Sequence, residues 1–399
     1  MAVTNSSVVY IDPADKSIHY YSDNTGRIIH DSVNYKGKNF DKDFFDKFSA
    51  ALQELLKKYT PSQASGSVIL LPDSAVITDV MTFPTMKASS LKATVDAAVG
   101  GLFTDKNSMI LQYDCVNTTR QYASYCLTGV RKELVTDLRA AAATARFAAN
   151  TVTFASEASA RAVSALGGKI KDTNYLLLDI KQDVARITYI YKGMAVGFTA
   201  LPFGYSVLQS KKVAAEDMLF NHSVAELAVL NAREKAKAKA LSVMDSGTDI
   251  SGAMSGSAED TDEENPFAGT ENLVVRRGEA GMIKTLPKKA ARKLPKYMLR
   301  PTPNTEDGVR DENFRLFTKW VLCFLQGSDR LQGLGDCKTV YVNMPEEFMG
   351  AIDVANQEKD ENGVVFAPCG FDNKNTEVLQ NLELFGALYA TRGRNRNIF

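Results

Sequence analysis

The sequence is poor in the residues that build most metal and redox sites. Its 399 residues include only three histidines, one tryptophan and five cysteines, and no two cysteines form a CxxC motif. A histidine-based metal site is therefore not expected, and the cysteines are predicted to be buried, reduced thiols. Basic and acidic residues number 47 each, so no overall charge attracts the chain to nucleic acid.

Long apolar runs are also missing. No stretch approaches 18 apolar residues, so no membrane-spanning helix is expected. The first residues, Met1–Pro13, have neither the basic region nor the apolar region of a secretory signal. Hydrophobic residues make up 45% and charged residues 24%, as in globular proteins, and the length suits two domains or one bilobed body.

Two segments that are present repeat one pattern. Ser7–Tyr21 and Asn174–Gly193 each contain an apolar strand that ends near an aspartate, a short polar turn and a second strand. Asp12 and Asp179 occupy equivalent places, roughly 165 residues apart. A unit used twice predicts an α/β protein with an internally duplicated fold.

One region departs from the pattern of strands and helices. Seven acidic residues and no basic one lie between Asp245 and Glu264, whereas Arg276–Arg300 carries nine basic residues and one acidic residue. This composition predicts a flexible insertion that lacks a core of its own. Arg276–Arg300 is interpreted as a solvated loop, with membrane or partner contact as the alternative; it has too few aromatic residues for a nucleic-acid site.

The order of elements resembles the actin-like ATPases, and within them the group of PilM and FtsA. Val68–Phe103 is similar to a strand–strand–proline–helix run of that group, and it lies between the two repeated units, where the group has its inserted subdomain 1C. The resemblance implies a duplicated two-lobed fold. Residues 1–65 and 149–172 would form the first subdomain, 66–148 subdomain 1C, 173–244 and 311–399 the second lobe, and 245–310 the insertion.

The family's phosphate loops need glycines, which this sequence lacks. Ala14 follows Asp12-Pro13 where the first glycine is expected, Lys181 follows Asp179-Ile180 where the second is expected, and Tyr341–Pro345 replaces a Gly-Gly turn at the adenosine. Glycine lets backbone N–H groups approach a phosphate without a Cβ in the way. Pro13 also removes one N–H donor. The loops therefore predict a degraded nucleotide site.

Two interpretations of the loops follow. In the first, Asp12 and Asp179 only initiate turns, no catalytic or metal-binding residue is present, and no cofactor is expected. In the second, Asp12, Asp179 and Lys181 bind ATP with Mg²⁺, and the protein is an ATPase switch. His19, near the position of a family lysine, is interpreted as an ordinary surface or rim residue, with a catalytic base as the alternative.

The resemblance implies a cytoplasmic scaffold of type IV pilus or related secretion-type assembly, peripheral to the inner membrane. Its expected partner is the short cytoplasmic peptide of a single-pass inner-membrane protein, bound near subdomain 1C; a homo-oligomer is left open. An FtsA-like role in cell division is an alternative, although the C-terminal segment lacks a separate amphipathic helix.

Overall fold

The computed structural model describes residues 5–13, 15–24, 27–36, 38–41, 43–59, 66–102, 106–168, 170, 172–211, 305–326, 331, 334, 337–357, 363–372, 375–389 and 398. The predictions for Ala14, for most of the 245–310 insertion and for Arg276–Arg300 lie outside these residues. The chain divides into two compact units, residues 1–209 with 317–399 and residues 210–316. The second unit is described only at residues 210–211 and 305–316.

Thirteen strands lie in the described part of the chain. They are β1 (Asn5–Asp12), β2 (Ser17–Asn24), β3 (Arg27–Asn34), β4 (Gly66–Leu71), β5 (Val76–Pro84), β6 (Met109–Thr118), β7 (Tyr122–Arg131), β8 (Thr151–Phe154), β9 (Asn174–Ile180), β10 (Ala185–Tyr191), β11 (Met194–Leu201), β12 (Thr339–Asn343) and β13 (Val365–Pro368). They form two sheets of five strands and one sheet of three.

Eight α-helices accompany these strands in the described ranges. They are α1 (Phe44–Lys58), α2 (Ala88–Leu102), α3 (Lys132–Thr144), α4 (Ala155–Leu166), α5 (Glu306–Gln326), α6 (Gly350–Gln357), α7 (Thr376–Gln380) and α8 (Leu382–Ala387). Helix α5 begins at Glu306, inside the range predicted for the insertion. Residues 306–310 of the predicted flexible insertion are therefore helical.

The two five-stranded sheets have the same topology. Their orders are β3-β2-β1-β4-β8 and β11-β10-β9-β12-β13. In each sheet an antiparallel meander of three strands is followed by two parallel strands. This repeated order is the duplicated actin-like fold, and the fold prediction is confirmed.

The three-stranded sheet, β5-β7-β6, stands apart from the duplicated sheets. It lies within the 66–148 range predicted for the inserted subdomain, but that range contains two further elements. Strand β4 pairs with β1 and β8 in the first five-stranded sheet, and α3 packs against α1. The sheet and α2 therefore account for residues 76–131, a narrower segment than the sequence boundary.

Helix packing brings the C-terminal helices onto the first lobe. Helix α1 has one apolar face, with Phe44, Phe48 and Leu52 fully buried. Helix α8 packs on α4 at such close range that a Cβ on Gly386 would lie 1.8 Å from the carbonyl oxygen of Ala158. Only glycine fits there, and this contact positions the neighbouring side chains of α8.

Candidate functional site

A cavity of about 810 Å³ lies between the loops that follow β1 and β9, and we call it the cleft. The first loop joins β1 to β2 after Asp12, and the second loop, residues 181–184, joins β9 to β10. All three candidate residues from the sequence, Asp12, Asp179 and Lys181, line the cleft. The repeated pattern therefore brings its two aspartates to one site.

The first loop is closed by Asp12 and by two residues that follow β3, Tyr35 and Asn39. The backbone N–H of Asp15 points to Oδ1 of Asp12 at 3.4 Å, the geometry of a turn-initiating aspartate. The amide of Asn39 donates to the carbonyl oxygen of Pro13 (3.3 Å) and accepts from the hydroxyl of Tyr35 (2.6 Å). With Pro13 lacking an N–H group, this loop offers few donors to a phosphate.

The second loop is closed by backbone hydrogen bonds. The N–H of Lys181 donates to the carbonyl of Val184 (2.9 Å), and the carbonyl of Lys181 accepts from the N–H of Tyr205 (2.7 Å). A Cβ on Gly204 would lie 2.0 Å from that same carbonyl oxygen, so a glycine is required here. The required glycine is therefore Gly204, which packs against this loop from outside, whereas a phosphate loop needs glycine within the turn itself.

The side chain of Lys181 turns toward a buried glutamate. Its ammonium group pairs with Oε1 of Glu383 on α8, a side chain that is only 1% exposed. Burial alone would raise the pKa of Glu383, but Lys181 and Arg186 outweigh it and hold that pKa at about 2. The cation that the sequence offered for a phosphate thus already has a carboxylate partner.

A second buried ion pair continues from Glu383. Arg186 on β10 approaches Glu383 at 3.9 Å and pairs with Asp73 through Nε and Oδ2 at 2.7 Å. Asp73 also accepts hydrogen bonds from the N–H and hydroxyl of Ser156, at 2.9 and 2.8 Å. Two cations and two carboxylates therefore form an electrically balanced group, the four-charge network, made of Lys181, Glu383, Arg186 and Asp73.

Only one of the two carboxylate oxygens of Asp179 accepts a hydrogen bond. Its side chain lines the cleft but is 2% exposed, and its Oδ1 accepts from Nδ2 of Asn343 at 2.7 Å. The same amide group donates to the carbonyl of Leu379 at 2.7 Å. Oδ2 of Asp179 is buried without a hydrogen-bond partner. Burial raises the pKa of Asp179, although Lys181 acts in the opposite direction.

Two histidines form a chain of hydrogen bonds at the wall of the cleft. Nε2 of His19 lies 2.7 Å from the hydroxyl of Ser17, and Nδ1 of His19 lies 3.0 Å from Nε2 of His30. Nδ1 of His30 is 2.5 Å from Oε1 of Glu377 on α7. Burial, followed by His30, lowers the pKa of His19 to about 4. His19 is therefore largely neutral at pH 7 and joins β2 to α7 through His30.

Several of these residues were not singled out in the sequence. The partners Arg186, Glu383 and Asp73 come from distant elements and share no motif. The contact of His30 with His19 could have been predicted from the pairing of the β2–β3 hairpin. Tyr21 lies opposite His30 and His19 lies opposite Ser32, so the two histidines are diagonal neighbours on one face of the hairpin. Asn343, noted only as a missing glycine, is the residue that holds Asp179.

The described residues contain no group of three or more metal-ligating side chains arranged around a common point. Within the same residues, no helix combines the length and apolar character needed to cross a membrane.

The free thiols differ in exposure: Cys126 and Cys369 are buried as predicted, while Cys115 is exposed.

The two sheets of equal order with a site between their hairpin loops define the actin-like class of fold. No family model matches the sequence. No curated protein matches it either. Among solved structures, a PilM–PilN type IV pilus biogenesis complex aligns over 97% of both chains, at 10% identity and a TM-score of 0.49.

Two further structures align over most of the chain. The ethanolamine utilization protein EutJ from Carboxydothermus hydrogenoformans covers 96% of this chain and 89% of its own, at 10% identity and a TM-score of 0.37. MreB 5 of Spiroplasma citri, bound to AMPPNP, covers 96% and 94%, at 9% identity and a TM-score of 0.34. Because every TM-score is below 0.5, the fold assignment depends on the sheet topology described above.

Proposed function

We propose that this protein is an actin-like scaffold of type IV pilus or related secretion-type assembly. It acts in the cytoplasm at the inner face of the membrane by binding the cytoplasmic tail of an inner-membrane partner. It does not hydrolyse ATP efficiently. The observation that carries this proposal is that the groups of the two loops that would hold a triphosphate are engaged within the protein.

The engagement of the loops supports a binding role over an enzymatic one. The N–H of Asp15 and the N–H of Lys181 both point to acceptors of their own loops. The ammonium of Lys181 is paired with Glu383. A bound triphosphate would have to displace these internal partners while it approached Asp12 and Asp179, which repel it.

Exposed apolar residues on the inserted sheet support a peptide-binding surface. Ile77 on β5 is 44% exposed and Tyr113 on β6 is 39% exposed. The strand registers place both residues on the same face of the sheet as Leu127 of β7, and Val95 of α2 packs on that face. Helix α2 thus leaves apolar side chains uncovered on both outer strands, and exposed apolar patches commonly mark partner sites.

Peptide binding can be tested with matched charge substitutions. Calorimetry would use the full chain and a synthetic peptide that covers the cytoplasmic tail of the single-pass membrane protein encoded beside this gene. We expect saturable binding that Ile77→Lys weakens at least tenfold. Val365→Lys is the control, because Val365 is a β-branched residue with 52% exposure in the second five-stranded sheet. Failure to bind at about 1 mM peptide, or equal losses in both variants, would contradict the proposal.

Nucleotide binding is a separate test of the scaffold. Titration with Mg-ATP should give no binding tighter than about 100 μM. A tighter complex that Asp12→Ala or Asp179→Ala abolishes would instead favour the ATPase switch. The peptide experiment would still be informative in that case, because it concerns the inserted sheet and not the cleft.

A further inference from the structure

We infer that the cleft binds an organic cation, an alkylammonium group on an apolar stem, at the place where the fold would hold a nucleotide. The ligand's source is a free diamine or polyamine, or the lysine side chain of a peptide. The inference rests on the cleft's charge, on one unsatisfied buried oxygen and on the apolar part of its wall.

Among the described residues, the wall of the cleft has an excess of negative charge. Its described side chains include six carboxylates and one ammonium group: Asp12, Asp15, Asp179, Asp183, Glu346, Glu377 and Lys181. One ammonium group cannot balance six carboxylates: it lowers the pKa of Asp179 and Asp15, and it also pairs with Glu383 in the four-charge network. A focused negative field in a concave site concentrates cations and excludes polyphosphates.

The carboxylates also crowd one another. Burial raises the pKa of Asp15, and Asp12 and Asp183 raise it further. The part of this shift that comes from Asp12 and Asp183 is repulsion among like charges, which a cation placed between them would relieve. The crowding lies on both loops, since Asp183 belongs to the second loop and Asp15 to the first.

A second observation points to a donor ligand rather than to charge alone. Asp179 is 2% exposed and lines the cleft, and its Oδ2 is buried without a hydrogen-bond partner while Oδ1 is held by Asn343. Buried carboxylate oxygens are costly to leave unsatisfied. An N–H of an ammonium group would satisfy this oxygen, and a phosphate oxygen would not.

The remaining wall suits the stem of such a ligand. Met344, Pro345, Met349 and Phe371 line the same cavity, next to the carboxylates. A cavity of about 810 Å³ is large enough for a small organic ligand. An alkyl chain would contact these apolar side chains while its ammonium reached Asp179.

The test compares three singly charged ligands and one doubly charged diamine on the full chain. Calorimetry would measure putrescine, n-butylammonium, tetramethylammonium and a lysine-containing tripeptide with blocked termini. We expect n-butylammonium to bind at least tenfold more tightly than tetramethylammonium, because only the former can donate N–H to Asp179. Tighter binding of putrescine would identify a free diamine as the source, and tighter binding of the tripeptide would identify a lysine side chain.

Matched variants locate the binding. Asp179→Asn should weaken n-butylammonium at least tenfold, and Asp15→Asn, an exposed position where a folding defect is not expected, should weaken it severalfold. Asp353→Asn removes the same charge from an exposed position on α6, outside the cleft wall, and should leave binding unchanged. Absence of amine binding, equal affinity for tetramethylammonium, insensitivity to Asp15→Asn, or tighter binding of Mg-ATP would each overturn the inference.

Discussion

The first and second loops occupy the same position in two sheets of the same order, yet they are held in different ways. Asp12 is partly exposed, and its carboxylate contacts the backbone of its own loop. Asp179 is almost fully buried and is held by Asn343, beside the four-charge network. The duplication has preserved the path of the backbone, while burial decides what each aspartate can contact.

Removal of one charge from the four-charge network should have the largest effect. Arg186→Met leaves Asp73 and Glu383 buried with only Lys181 to balance them, so the free energy of unfolding should fall by about 3–5 kcal/mol. Urea denaturation would measure the change. Arg120→Met, at an exposed turn between β6 and β7, is the control and should change little. Similar values for the two variants would mean that the second loop is no more constrained than a surface turn.

The amides that hold the two loops allow a direct comparison. Asn343→Leu removes the donor of Asp179 and of the Leu379 carbonyl, and should cost about 2–3 kcal/mol of unfolding free energy. Asn39→Leu removes a partly exposed amide from the carbonyl of Pro13 and from the hydroxyl of Tyr35, both neutral groups, and should cost less, about 1 kcal/mol. Equal losses of unfolding free energy in the two variants would show that both loops depend equally on their amide hydrogen bonds.

The pH dependence of stability tests the first lobe. The pKa of His19 is about 4 in the folded protein against 6.5 ordinarily, so only the unfolded chain gains this proton between the two values. The stability gained by keeping His19 neutral in the fold is fully present above pH 6.5 and is lost as the pH falls toward 4. From pH 7 to pH 4.5 we expect a loss of about 2 kcal/mol from His19 alone.

The matching variant isolates this histidine from other titrating groups. His30, Asp12, Lys181 and Glu383 also act on the charge of His19, so the wild-type curve alone is not specific. Between pH 7 and pH 4.5, the His19→Gln variant should lose about 2 kcal/mol less of its unfolding free energy than the wild type. Parallel curves for the two proteins would show that His19 is not buried as described.

Local patterns predicted most of the fold. Alternating apolar residues and polar turns placed β1, β2, β9 and β10. The sheet to which β4 belongs was not predictable in the same way, because the local sequence of a strand does not show which parallel strands will lie beside it. The position of α3 likewise depends on packing against α1.

The site was predictable only where it repeats. Asp12 and Asp179 were found because the same pattern occurs twice, and both line the cleft. The partner of Lys181 lies 202 residues further along the chain, so no spacing rule connects them. Long-range charge pairs of this kind depend on which elements the tertiary fold brings together, and the sequence carries no signal for them.

The place of Glu383 on α8 has a consequence for synthesis of the protein. A chain emerging from the ribosome carries Lys181 and Arg186 long before the residue that balances them, because translation proceeds toward the C-terminus. Until α8 reaches α4, Lys181 and Arg186 lack the carboxylate that both of them approach in the finished fold. Completion of the second lobe is therefore expected only after translation of α8, and the unfinished chain is the species most in need of a chaperone.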